Sequence, residues 1–436
     1  MSDYMFMLES HLSAEQFRVV GQMQAIAAAA GVNLFLTGGA MRDVLGGFPV
    51  RDLDFTVETS ALKLVKTLEK AGATVVASDD LRKSIELRFP GGVSAELAMA
   101  RQERYPKPGG KPQVTPAVIH EDLRSRDFTV NAIALSLNRA SLGLLIDPTN
   151  GMGDIERKEL RAIHTYLFYD DPSRMLRLIR FKIRLGYAID ERTRLQYENA
   201  REAEMLTRIS PESLGMELRH IAAEPLVADV IKALEDEKLI GLYSPVLAGP
   251  KLNLAAFTKL QKARQTAPVD YRIHAMPLFL NILLEKLNAK ERSALIKAAD
   301  LEKPEINAAQ KMEAAAKKLE RDLKSAKLQK PSQLYQVLIK APGELVLYLM
   351  VYSEQRLVQD RIKNYFGKYL PASLEITDEM VAATGVAPGT PKFAAAKEKM
   401  ILTRLDARPK KPAPEPEPPP PPMSSFARGP GPRAPR

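Results

Sequence analysis

At 436 residues the chain is too long for one compact core, so two or three packed units are expected, and a hydrophobic share of 45% suits a globular rather than a fibrous protein. The formal charge is +10, of which residues 407–436 supply six Lys or Arg against two Glu, leaving +6 for the rest; that modest excess fits a phosphate-bearing partner and an ordinary basic protein equally well. The absence of cysteine excludes disulfides, thiolate catalysis and Cys-based zinc modules. The opening Met-Ser-Asp-Tyr lacks a signal-peptide layout and no apolar run approaches the ~20 residues that span a bilayer, so a cytoplasmic protein with no membrane association is expected.

In chain order, Phe17 to Ala30 reads as a helix stopped by Gly31, followed by a buried strand from Val32 to Thr37. Gly38-Gly39 breaks that strand, Ala40 to Leu45 forms a short helix, and Gly46-Gly47 with Pro49 turns the chain into a second strand, Val50 to Val57. Apolar and polar residues alternate over Ser84–Phe89 and again over Val93–Met99 across Pro90-Gly91-Gly92, a hairpin pattern. Residues 130–137 and 143–147 add a strand pair, and from about Pro172 the pattern is helical, punctuated by Pro211, Pro245, Pro304, Pro331 and Pro342. Between Arg408 and Arg436 stand twelve prolines, which predicts an extended, disordered tail.

Chemistry gathers in three places. A glycine pair between strand and helix lets backbone approach a phosphate while the helix start offers unpaired N–H groups, a role that suits Gly38, Gly39 and Arg42. In Arg-Asp-Leu-Asp-Phe (51–55), side chains two apart share a strand face, so Asp52, Asp54 and Thr56 point one way and Leu53, Phe55 and Val57 the other. Two carboxylates ~7 Å apart at Cα repel unless a divalent cation sits between them; by itself, the pair reads more readily as a solvated edge-strand face. Glu96 and Glu86 lie on the polar face of a neighbouring strand, where a plain surface role is the simpler reading.

The stretch Leu-Thr-Gly-Gly-Ala-Met-Arg-Asp-Val-Leu-Gly-Gly-Phe-Pro-Val-Arg-Asp-Leu-Asp-Phe (36–55) resembles the first signature of the polymerase-β-like nucleotidyltransferases, within the group of class II tRNA nucleotidyltransferases (CCA-adding enzymes) and bacterial poly(A) polymerases. The resemblance implies an α+β fold: a polymerase-β-like head with a small mixed sheet (1–148), an all-helical neck that recognises the base (149–221), a helical RNA-binding body and tail (222–406), and the proline-rich end (407–436). It also implies that Asp52 and Asp54 are catalytic and bind Mg2+, and that Gly39 and Arg42 contact the triphosphate. Leu-Arg-Ser-Arg-Asp-Phe-Thr-Val-Asn-Ala (123–132) is similar to the family's second motif, which implies nucleotide contacts from Arg126, Asp127 and Asn131, with Ser125 where an arginine is usual. The segment 100–109 also looks like a family segment, and its Pro-Gly content reads as a mobile loop.

A third motif, Asp170-Asp171-Pro172-Ser173-Arg174-Met175-Leu176-Arg177, is similar to the family's Glu-Asp-x-x-Arg-x-x-Arg, with Pro172 as first helical residue and Asp171 as its cap. Cytosine and adenine share an amino donor beside a ring-nitrogen acceptor; a carboxylate next to a guanidinium complements that pattern and mismatches uracil and guanine. Asp171 and Arg174 would therefore admit CTP and ATP, with Arg177 and Arg180 serving phosphates or helix packing. The expected activity is template-independent addition of C, C and A to the tRNA 3′ end, with no protein partner implied. Alternatives are an enzyme adding only CC or only A, a poly(A) polymerase, and an inactive RNA-binding relative. Asp79 to Ser84 (Asp-Asp-Leu-Arg-Lys-Ser) lacks the Gly-Arg-Arg-Phe segment of the poly(A) branch and the Gly-Thr pair common in CCA enzymes, which leaves a narrowed specificity open. Ile376 to Gly389 is similar to a C-terminal helix-turn segment of longer members.

Overall fold

The computed structural model describes residues 3–268 and 271–407. The predicted proline-rich tail, apart from Ala407, lies outside the described residues. The head is built on a seven-stranded mixed sheet. Its strands are β1 (Leu34–Thr37), β2 (Leu53–Val57), β3 (Thr74–Asp79), β4 (Ser84–Arg88) and β5 (Ser94–Met99), with β8 (Ala134–Ser136) and β9 (Leu145–Ile146) added after a separate two-stranded hairpin of β6 (Arg101–Arg104) and β7 (Gln113–Pro116). The order across the large sheet is β3-β4-β5-β2-β1-β8-β9, and β2 with β5 is its parallel pair.

The helix before β1 runs Ala14–Ala30, three residues longer at its start than the apolar pattern alone predicts. Ser13 and Gln16 form a reciprocal capping box there, and Gly31, at φ 66°, closes the other end. The predicted hairpin over residues 84–99 forms in antiparallel register, Ile85 opposite Leu97 and Leu87 opposite Ala95. The second predicted strand is shorter than expected: residues 50–52 have no ladder partner, pairing starts at Leu53 opposite Ala95, and Asp52 occupies a bend just before β2. Residues 129–131 form a 3-10 turn, so the strand expected over 130–137 shrinks to Ala134–Ser136. The stretch 100–109, expected to be loop, contributes β6 instead.

From residue 174 onward the chain is almost entirely helical, as expected. The helix of the third motif starts at Arg174, two residues later than predicted, because Asp171 is extended and its Oδ1 accepts from the Ser173 amide (3.1 Å) and hydroxyl (2.6 Å) in a local turn. One buried apolar cluster extends from Met5 to Leu405 and carries the head onto the helices. Near the C-terminal end, Ile376, Val381 and Phe393 make a small separate cluster between the helices Asp378–Ala382 and Pro391–Asp406. Among the described residues no single helix is long and apolar enough to cross a membrane.

Candidate active site

The chain leaves β1 at Gly38, whose φ of 63° suits glycine, and enters the helix Gly38–Gly46 with its first turn against β2. Asp54 Oδ2 accepts from the Ala40 amide at 3.0 Å, so that helix start already binds one carboxylate oxygen. A Cβ on Gly39 would stand 2.9 Å from Asp54 Oδ2, and one on Gly38 3.0 Å from Arg126 Nη1. Both glycines thus sit against the side chains of Asp54 and Arg126. Leu53, Phe55 and Val57 face the core, each 1% exposed or less, which turns Asp54 and Thr56 to the opposite face.

Register adds what the sequence left open. Asp54 lies directly beside Glu96 of β5, and Glu96 beside Glu86 of β4, so three carboxylates form a row across the sheet. Burial together with Glu96 raises the Asp54 pKa to about 7, and Asp52 adds to the rise, against the Ala40 amide and Arg42. Burial also raises Asp52, and burial with Glu86 raises Glu96. Among the described residues Asp52 has no hydrogen bond or ion pair, and Asp54 Oδ1 is equally unengaged. Hard oxygen donors whose charges crowd one another fit a divalent cation such as Mg2+.

The second motif wraps around this face. Arg126 donates through Nε and Nη2 to Asp122 Oδ2 (2.9 and 2.8 Å), through Nη2 to Thr56 Oγ1 (3.2 Å) and through Nη1 to the Asn131 carbonyl (3.3 Å). Its guanidinium is thus held against Gly38 and Asp54. Ser125, in the position of the usual arginine, bonds to the carbonyls of Arg101 and Asp122, while Arg124 is exposed.

Arg42, Asp127, Asn131, Arg177 and Arg180 are engaged differently: they belong to a closed circuit of polar contacts. Arg42 donates to Asp43 (2.7 Å) and Asn131 (2.7 Å), Asn131 to Asp127 (2.9 Å), and Arg177 to both Asp127 (3.0 Å) and Glu217 (3.0 Å). Arg180 joins Glu217 (3.1 Å) to Glu224 (3.0 Å), and Arg184 returns to Asp43 (2.8 Å) with Glu224 at 4.0 Å. Arg42, 2% exposed and 5.1 Å above the Phe181 ring, is an internal tie between head and neck. Arg177, Arg180 and Arg184, at one-turn and near one-turn spacings, are the neck's side of that tie. The sequence reading missed Asp43, Glu217 and Glu224; the seven-residue spacing of the two glutamates, two helical turns, was the available signal.

The two charged residues of the third motif lie side by side. Arg174 Nε lies 3.5 Å from Asp171 Oδ2, and the guanidinium stands 5.9 Å over the Tyr105 ring. Arg174 is 6% exposed and its side chain makes no hydrogen bond among the described residues, so its guanidinium donors are available to a ligand in a shielded place. Tyr105 is fixed by donating to Glu103 (3.0 Å); despite burial, Arg101 and Arg82 hold that carboxylate down at about 2. The hairpin tip reaches the same place, where the Gly109 amide donates to the carbonyls of Tyr169 and Asp170.

Comparison with known proteins gives the same picture. Residues 34–161 match the poly A polymerase head domain family. The chain is 30% identical over 346 residues to the A-adding tRNA nucleotidyltransferase of Aquifex aeolicus, covering 77% of this chain and 40% of that protein. It is 39% identical over 152 residues to the CC-adding tRNA nucleotidyltransferase of Deinococcus radiodurans, covering 35% and 41%. It thus spans well under two thirds of both relatives. Among solved structures, an apo CCA-adding enzyme superposes with a TM-score of 0.55 at 24% identity, over 94% of this chain and 96% of that one. Residues 34–161 are thus similar to the poly A polymerase head domain, in a chain that shares the fold of a solved CCA-adding enzyme.

Proposed function

We propose that the chain is a template-independent nucleotidyltransferase that extends the 3′ end of tRNA with C, C and A, taking CTP and ATP and releasing pyrophosphate. The observation that carries this reading is the presence, in one chain, of an acidic face on β2 and β5 beside a glycine turn and of a shielded Arg174 guanidinium paired with Asp171. Asp52 and Asp54, with Glu96 alongside, would hold the Mg2+ ions, which lower the pKa of the RNA 3′-hydroxyl and neutralise the leaving pyrophosphate. Gly38 and Gly39 let backbone amides approach the triphosphate, and Arg126 sets a positive charge over it. Asp171 accepts from the amino group of cytosine or adenine and Arg174 donates to the ring nitrogen. Uracil or guanine would leave buried groups unpaired in the same place.

In this reading residues 1–148 are the catalytic head, 149–221 the neck that reads the base and 222–406 the RNA-binding body, and the protein works in the cytoplasm, where its substrates are. A second reading, addition of A alone or CC alone, is favoured by the names of the two relatives above. Purified protein with Mg2+, labelled CTP or ATP, and tRNAs ending before CCA or after CC separates these readings. Growth by three nucleotides supports the first, growth by A or CC alone supports the second, and long A tails or no product contradict both.

A further inference from the structure

Three guanidiniums converge on the carboxylate of Glu224 and a fourth on its backbone carbonyl, and two of them, Arg51 and Arg184, also act electrostatically on Asp52. Glu224, 2% exposed and just past the helix Pro211–Ala223, accepts from Arg180 at 3.0 Å and from Arg51 at 3.4 Å, and Arg184 lies 4.0 Å away. Its backbone oxygen takes Arg264 Nη1 at 2.7 Å. Arg180 has a second carboxylate in Glu217, and Arg184 has Asp43. Among the described residues Arg51 has only long contacts to Glu224, while Arg264 donates to the carbonyls of Ala222 and Glu224 and keeps a buried Nε without a partner. The cluster thus holds more guanidiniums than carboxylates, and Arg51 and Arg184 also act on Asp52, the acid assigned above to the metal ions.

The arginines come from three places: Arg51 from the bend before β2, Arg184 from the neck helix, and Arg264 from the helix Leu254–Thr266. None of them is hydrogen-bonded to the cradle formed by Gly38, Gly39, Asp54 and Arg126. Arg184 also stands ten residues along its helix from Arg174, ~15 Å at the rise of an α-helix. A nucleotide whose base is read at Arg174 and whose phosphates lie at Asp54 leaves the Arg51 patch to the other reactant. We propose that Arg51, Arg184 and Arg264 bind a phosphodiester of the RNA acceptor strand and so bring its 3′-hydroxyl up to Asp52. The proposal rests on the nucleotidyl-transfer reading of the same site. Arg51, with 36% of its side chain exposed, is the member that reaches solvent and meets the strand. Guanidinium forks suit phosphate oxygens in such a partly desolvated position.

The test is filter binding of a tRNA lacking its terminal CCA, without nucleotide, from about 50 to about 200 mM KCl. Arg51→Gln should weaken binding roughly five- to tenfold and lower the salt slope by about one, and Arg51→Lys should restore most of the affinity. CTP affinity, read by calorimetry, should stay within about twofold, since phosphate contacts to the RNA act on that partner alone. Unchanged tRNA affinity in a folded Arg51→Gln protein overturns the proposal. A CTP loss as large as the tRNA loss also overturns it, because the patch then serves the triphosphate. If the wild type incorporates no nucleotide yet Arg51→Gln still loses tRNA in this way, the functional reading fails and the phosphate site stands.

Discussion

Replacing Glu217 with Gln removes one negative charge from the circuit that ties head to neck while nearly preserving shape. Glu217 is 1% exposed and accepts from Arg177 Nε (3.0 Å) and from Arg180 Nε (3.1 Å) and Nη2 (3.4 Å). Burial alone would raise its pKa, but the two guanidiniums win and hold it at about 2, against an ordinary value of 4.5. A depression of that size corresponds to ~3 kcal/mol of stability at neutral pH, and breaking a buried ion pair on one side independently gives ~3–5 kcal/mol. The folded pKa is depressed, so this stability is present above pH 4.5 and is lost as pH falls towards 2. Urea unfolding of wild type and Glu217→Gln at pH 7 should differ by ~3 kcal/mol, and at pH 3 by only ~1.4 kcal/mol. A difference below ~1 kcal/mol at pH 7, or one that stays constant down to pH 3, refutes the argument that this charge holds the neck on the head.

Asp54→Asn should abolish incorporation yet stabilise the metal-free protein by up to about 4 kcal/mol at pH 7, because the Asp54 pKa is raised to about 7 by burial and Glu96. The sign is opposite to that of Glu217: with the folded pKa raised, metal-free wild type loses stability as pH climbs from about 4 through 7, and Asn removes that slope in calorimetric scans in EDTA. Gly39→Ala places a methyl 2.9 Å from Asp54 Oδ2 and should lower kcat by at least about tenfold with the Tm nearly unchanged. Arg174→Gln should reduce discrimination of CTP over UTP by roughly 10- to 100-fold in kcat/KM competition, since the site no longer penalises the uracil edge.

The features legible in the sequence were those written in local chemistry. Gly38 and Gly39 announced the break between strand and helix, alternation around Leu53 and Phe55 announced which residues of β2 face the core, and Ile85 to Met99 announced a hairpin; each depends only on residues a few positions apart. β3 escaped because Thr74–Asp79 is an outer strand with no fully buried residue, so it shows no apolar alternation. β6 escaped because Arg-Gln-Glu-Arg has weak strand preference and is held by its ladder to β7 and by the pairing of Glu103 with Arg101 and Arg82. The helix after Asp171 starts late because the Ser173 side chain and amide capture the carboxylate first. The circuit through Asp43, Asp127, Glu217 and Glu224 was hidden for another reason: apart from the local Arg42–Asp43 and Asn131–Asp127 links its partners lie 37 to 141 residues apart along the chain, and local pattern says nothing about such contacts. For the same reason Glu96 read as an ordinary surface residue until strand register set it beside Asp54.

The most direct test of the account is a crystal of the protein with a non-hydrolysable CTP analogue and Mn2+, located by anomalous scattering. The account predicts manganese bound by the carboxylates of Asp52 and Asp54, phosphates against Gly38 and Gly39, and the cytosine edge on Asp171 and Arg174. Manganese bound elsewhere, or a cytosine remote from Arg174, would contradict it.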